Sequence, residues 1–234
     1  FEIIGRRSLQ LYLADFDRSD GTISNVISKI LDAPSLGCGV AFSADSRYIY
    51  NSNATHIRQY DTKKADILAS EIIVAELDSV YYVFPWDTIN TPRRWYSNFC
   101  WLKLGPDGKI YIFPSNTACK RMSVMEHPDR SGLDCEVRQH SIWMPTDMTR
   151  TVPNLPEYRL GPLDGSPCDT LELDNHPIAK YRYEPDSIDY KRLRFTDLSY
   201  FRPESWSYDF GDGSPKISQR SPYHTFPSDG SYKV

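Results

Sequence analysis

No apolar run in this chain approaches the roughly 18 residues a membrane-spanning helix needs. No basic run interrupts a formal charge of −4, built from 27 Lys and Arg against 31 Asp and Glu. The first absence excludes a helical span. The second disfavours nucleic acid, which needs concentrated positive charge. A G-x-S-x-G nucleophile elbow and a phosphate-binding glycine loop are both missing. The histidines, His56, His127, His140, His176 and His224, are scattered, and none pairs at metal-ligand spacing. His127 and His140 fall on successive expected strands, where they either face each other or are satisfied separately. Cys38, Cys100, Cys119, Cys135 and Cys168 lack the short paired spacing of a zinc site. They read as up to two disulfides with one thiol over, or as buried small hydrophobes. Long helices are disfavoured by 17 Pro and 12 Gly. Only residues 65–75 tempt a helix, and Ile72, Ile73 and Val74 pull the end of that stretch toward strand.

What is present is a repeat. Residues 104–113, LGPDGKIYIF, have a sibling 62 positions earlier at residues 42–51, FSADSRYIYN. In the overlay Asp45 falls on Asp107, Arg47 on Lys109, Ile49 on Tyr111 and Tyr50 on Ile112, with Cys38 matching Cys100. Each reads as strand, tight turn, strand. The Asp bonds its own backbone, and Gly108 supplies left-handed geometry cheaply. Residues 56–61 and 71–77 give a third and fourth strand to the first copy, and 122–126 and 136–142 do so for the second. A four-stranded antiparallel unit recurring at this period fits a β-propeller blade; two unrelated hairpins of a β-sandwich are the plainer alternative.

Residues 1–36 hold half a blade, with strands at 9–17 and 23–30 around the turn RSDGT. Asp15, Asp17 and Asp61 close third strands, where they cap turns. Complete blades follow at 38–78 and 99–143. Between them, residues 79–98 (SVYYVFPWDTINTPRRWYSN) form an aromatic insertion. Tyr81, Tyr82, Trp86, Arg93, Arg94, Trp95 and Tyr96 read either as a binding surface or as a cover over an apolar rim. After the second blade, residues 153–160 suit a lone strand that helps close the ring, with Glu157 and Arg159 near the central channel. The texture changes at 171–177. Beyond it, strands are expected at 179–183 and 193–196, and the motif WSYDFGDGSP at 206–215 follows. The chain opens within a half repeat and ends in a strand-like run, so the expectation is a piece of something longer.

The Trp206–Gly213 run WSYDFGDG, with PYHTF at 222–226 and GSYKV at 230–234, resembles the PKD domain, an immunoglobulin-like β-sandwich of extracellular proteins. Alternate residues Trp206 and Phe210 point inward in that reading, and Gly211 and Gly213 permit the sharp turn. The stretches CGVAFSADSRYIYNSN, LGPDGKIYI, LDCEVRQ and PNLPEYRLGPLDGSPCDT resemble secreted propeller–PKD proteins of gliding-type Gram-negative bacteria, often exported by type IX secretion. The resemblance implies an all-β chain of two domains: residues 1–176, the last blades and closing strand of a propeller, and residues 177–234, a PKD domain incomplete at its C-terminus.

The resemblance also implies a secreted or cell-surface protein. With no recognisable catalytic constellation, the expected role is non-catalytic: the propeller a docking platform for a surface protein or glycan through Trp86, Arg93, Arg94, Trp95 and Tyr96, the PKD domain a spacer, in adhesion or extracellular assembly. A secreted propeller enzyme (lactonase, lyase or glycoside hydrolase) and a self-associating filament subunit are the rivals. No cofactor is expected except calcium at Asp209 and Asp212, which otherwise brace their turn through backbone N–H groups. A disulfide is expected between Cys135 and Cys168, both in stretches that carry the resemblance and both placed near the propeller rim. Cys119 competes for Cys135, and matching positions such as Cys38 and Cys100 sit too far apart on neighbouring innermost strands.

Overall fold

The computed structural model describes residues 9–31, 39–78, 80–82, 95–115, 119–148, 165, 176–201 and 203–234. The protein is all-β, and helix among the described residues is limited to two 3₁₀ turns, Leu68–Ser70 and Gly132–Cys135. The first turn sits inside the stretch that tempted a helix, and β-branched Ile72–Val74 then takes over as strand. The chain divides into two compact units, Phe1–Asp17 with Thr22–Asn154, and Arg18–Gly21 with Leu155–Val234. This division falls at 154/155, ahead of the expected 176/177; residues 155–175, Gly165 apart, lie outside the described residues.

The first unit is a stack of three antiparallel layers. A ribbon pairs β1 (Leu9–Phe16) with β2 (Ile23–Leu31). The first four-stranded sheet follows as β3 (Gly39–Phe42), β4 (Tyr48–Asn53), β5 (His56–Asp61) and β6 (Ile72–Glu76), in that order. A two-residue ladder then joins β7 (Tyr81–Tyr82) to β8 (Trp95–Tyr96). The second sheet runs β9 (Trp101–Leu104), β10 (Ile110–Phe113), β11 (Cys119–Met125) and β12 (Val137–Met148). Both four-strand expectations hold. Among the described residues the sheets do not close into a ring.

Period-2 alternation explains the layering. On β4, Tyr48 and Tyr50 turn toward the second sheet and join Ala41, Ile57 and Val74 against Phe99, Leu102, Ile110, Ile112 and Met125. Ile49 turns the other way and, with Tyr60, packs on Leu11 and Leu31 of the ribbon. The first strands of the two sheets approach so closely that a Cβ on Gly39 would collide with the backbone of Cys100 and Leu102. Glycine is required there for steric reasons. Ser52 completes that seam, donating to the Cys100 carbonyl at 2.6 Å and accepting the Gly39 N–H at 3.0 Å.

The repeat overlay needs one correction. Phe42 faces Ile49 across six intervening residues, whereas Leu104 faces Ile110 across five. The shorter turn moves the partner strand by one position, so Ile110 takes the place of Ile49 and Ile112 faces back toward the first sheet. A one-residue slip exchanges the two faces of a strand. The turn chemistry itself is as expected: Asp45 accepts the Arg47 N–H at 3.1 Å and Asp107 the Lys109 N–H at 3.3 Å. Gly108 takes φ +78°, and Ser46 takes φ +59° in the first copy. Asp61 caps its turn through the Lys63 N–H at 3.0 Å, while Asp15 instead holds the Asn25 amide at 2.8 Å.

The second unit carries one three-stranded sheet, β13 (Tyr181–Pro185), β14 (Arg192–Asp197) and β15 (Tyr223–Thr225). Isolated bridges join Ile178 to Tyr200 and Tyr208 to Ile217. Its core is aromatic: Phe195, Tyr208, Phe210 and Phe226, flanked by Leu193, Trp206, Ile217 and Tyr232. Phe195 and Phe210 sit at 5.1 Å in a tilted pair, a geometry aromatic quadrupoles favour.

Candidate functional site

In the second unit the two stretches that carry the PKD resemblance come together in space. Gly211 and Gly213 adopt φ +68° and +82°, and the position of a Cβ on Gly211 is filled by the Lys233 backbone. Asp209 accepts the Gly211 N–H at 3.1 Å and Asp212 the Ser214 N–H at 3.0 Å. The second carboxylate oxygens are engaged too: Asp209 lies 3.5 Å from the Lys216 ammonium, and Asp212 lies 2.7 Å from His224 Nε2. The His224 ring stacks flat on Phe210 at 3.9 Å. The hydroxyl and backbone of Ser214, then His224, hold the Asp212 carboxyl down at about 2. These contacts assign both aspartates a turn-bracing role. Among the described residues no group of three or more His, Cys, Asp or Glu side chains is disposed to hold a metal ion.

Beside this turn a cleft of about 460 Å³ opens, walled by Tyr181, Tyr183, Tyr190, Phe226 and Tyr232. Tyr181 and Tyr183 alternate on one face of β13, the face that Leu193 and Phe195 present from β14. Three of the four phenol hydroxyls are spent on the protein itself: Tyr181 donates to the Val234 carbonyl at 3.3 Å, Tyr190 to Asp229 at 3.2 Å and Tyr232 to the Ser228 carbonyl at 2.9 Å. What the cleft offers outward is therefore ring surface, with Lys191 and Asp229, 3.9 Å apart, at its rim. A volume of this size lies in the range of ligand sites. The YRY spacing at 181–183 was the available signal, but nothing in it showed which face would stay open.

The first unit devotes its buried polar groups to seams between layers. Tyr50 donates to the Pro128 carbonyl at 2.7 Å. Gln59 donates to Tyr50 and to the Arg130 carbonyl at 2.6 and 2.7 Å, and accepts the Gly132 N–H at 2.8 Å. Burial pushes the Tyr50 phenol well above its ordinary range and the neighbouring Cys135 thiol up to about 12. At the other edge, five positions of β12 (138 to 142) oppose three of β11 (124 to 122). Within this bulge His140 takes φ +55°, and its Nε2 lies 2.9 Å from Asp78. Gln139 clasps the same strand end, donating to the Glu76 carbonyl at 2.8 Å and accepting the Asp78 N–H at 3.1 Å. His127 instead meets Glu136 at 3.3 Å. The two histidines thus serve separate partners and do not face each other. Between ribbon and first sheet, Glu71 meets Lys29 at 2.8 Å, Arg58 at 3.4 Å and the Tyr60 hydroxyl at 2.6 Å. Burial alone would raise Glu71, but Lys29, Tyr60 and Arg58 hold its carboxyl below the ordinary range.

Of the binding residues expected in the aromatic insertion, Trp86, Arg93 and Arg94 lie outside the described residues. Trp95 and Tyr96 form β8, paired to Tyr82 and Tyr81 respectively, so both ends of the insertion meet in a short stem. Cys135 is a buried free thiol, and Cys168, its expected partner, lies outside the described residues. Cys119, the competitor, is also a buried free thiol. Comparison with protein-family models, with curated proteins and with solved structures gave no match.

Proposed function

We propose that this protein is a non-catalytic secreted or cell-surface protein of a Gram-negative bacterium, acting in adhesion or extracellular assembly. In this reading the stacked sheets of the first unit are blades of a β-propeller, a rigid platform, and the second unit is a PKD-type connector that carries a binding cleft of its own. The stack supports it because both four-stranded sheets have the same strand order and their first strands lie side by side at Gly39 and Cys100, the radial arrangement a propeller needs.

The observation that carries the binding role is the open tyrosine-walled cleft. Flat rings, three of their four hydroxyls already bonded, suit the apolar face of a sugar or an apolar peptide side chain better than they suit chemistry. Purified protein applied to a glycan array and to whole cells should be retained. Tyr183→Ala with Tyr190→Ala should weaken retention about tenfold or more, in the range of aromatic hot spots, with little change in melting temperature. Turnover of a sugar, lactone or peptide substrate, abolished by one substitution, would overturn the reading.

A further inference from the structure

The tyrosine-walled cleft carries polar groups that its rings do not use up. Asp229 stands at the rim with its side chain 73% exposed. Its Oδ1 accepts the Tyr190 hydroxyl at 3.2 Å and lies 3.9 Å from the Lys191 ammonium. Its Oδ2 takes no hydrogen bond from the described residues. Ser231 is exposed beside it on the same rim. Tyr183 and Tyr190 are the most exposed rings of the cleft, at 65% and 66%.

We infer that the cleft seats a neutral pyranose, its C–H face against Tyr183 and Tyr190 and two adjacent hydroxyls donating to Asp229. Three features select this ligand class. Tyr181 and Tyr183 line the cleft from the face of β13 that Leu193 and Phe195 share. A ring that stacks needs such a face, whereas a peptide that extends a sheet needs the strand's hydrogen-bonding edge. Lys191 and Asp229 offset each other at the rim, so neither an acidic nor a basic ligand meets a net opposite charge. A carboxylate only accepts, through two oxygens. A pyranose brings adjacent O–H donors along its edge and C–H groups on its face. An apolar side chain brings the carboxylate nothing and strips water from it. The inference rests on the binding part of the proposed function and narrows it to one ligand class, with Asp229 as the residue that sets specificity.

Chemical-shift titration of the tyrosine rings in residues 1–234 tests it. The probes are methyl α-mannoside, methyl β-glucoside and methyl β-galactoside, with N-acetyl-leucinamide as the apolar peptide probe. At least one hexoside should move the Tyr183 and Tyr190 signals in the millimolar range, and N-acetyl-leucinamide should not. Asp229→Ala should weaken that hexoside at least about tenfold, because a site built to bond a ligand hydroxyl loses heavily when the bond goes. The melting temperature should stay unchanged, since the Asp229 side chain is exposed. Hexoside affinity that survives Asp229→Ala, or rings that answer only to N-acetyl-leucinamide or to no probe, overturns the inference. Failure of the wider reading shows separately, as retention on cells that Tyr183→Ala with Tyr190→Ala leaves intact.

Discussion

Gln59, on the third strand of the first sheet, holds the backbone of Gly132, on the loop of the second, with its carboxamide oxygen 2.8 Å from the Gly132 nitrogen. The same carboxamide donates to the Arg130 carbonyl at 2.7 Å. One side chain therefore satisfies both a donor and an acceptor of a chain segment 71 to 73 residues away. It is 2% exposed, so no water stands ready to replace it.

Gln59→Leu keeps the size of the side chain and removes all three of its bonds, to Tyr50, Arg130 and Gly132. Each buried group left without a partner costs about 1–3 kcal/mol, so the variant should lose roughly 2–5 kcal/mol of unfolding free energy. Urea denaturation followed by tryptophan fluorescence measures it. A loss within about 0.5 kcal/mol of zero, the usual effect of an ordinary surface change, would show that the seam does not stabilise the stack.

Acid should act on the second unit through Asp212. Its carboxyl is lowered from 3.8 to about 2 in the folded state. The contribution of a depressed carboxyl is present above the unfolded value and disappears as pH falls through the folded one. The melting temperature of the second unit should therefore drop between about pH 4 and pH 2. Asp212→Asn should remove that limb of the profile. An NMR titration that places the Asp212 carboxyl at an ordinary value would contradict the geometry around Ser214 and His224.

Cys135 offers a chemical check on the interface between the two sheets. Burial pushes its thiol up to about 12, and the thiolate is the reactive form. In the folded protein at pH 8, iodoacetamide should leave Cys135 unmodified. After unfolding without reductant, peptide mapping should find it alkylated. A digest in which the Cys135 peptide is joined to the Cys168 peptide would instead establish the bridge expected from the resemblance.

Much of this fold is legible from local chemistry. Alternating apolar residues set the strands, and the 62-residue recurrence separated two four-stranded sheets before any coordinate was known. Asp45, Asp107 and Asp61 read as turn residues because an Asp side chain reaches the N–H two positions on, and it does so here. Asp209 and Asp212 read as turn braces ahead of calcium ligands. Only the placement of Lys216 and of His224 on Phe210 gave their second oxygens partners.

The sequence by itself determined that the chain is all-β, where most of its strands and tight turns fall, and that residues 206–215 form a glycine-hinged turn. Those outcomes depend on side-chain period and on backbone freedom within a few neighbours. Tertiary structure alone decided the rest. The missing residue between Leu104 and Ile110 reversed which face of β10 meets the first sheet, because register is fixed by turn length and not by the strand's own pattern. The same holds for the two faces of the β1–β2 ribbon, apolar alike: Leu11 is buried and Tyr12 exposed because, among the described residues, one side of the ribbon has a sheet against it and the other does not.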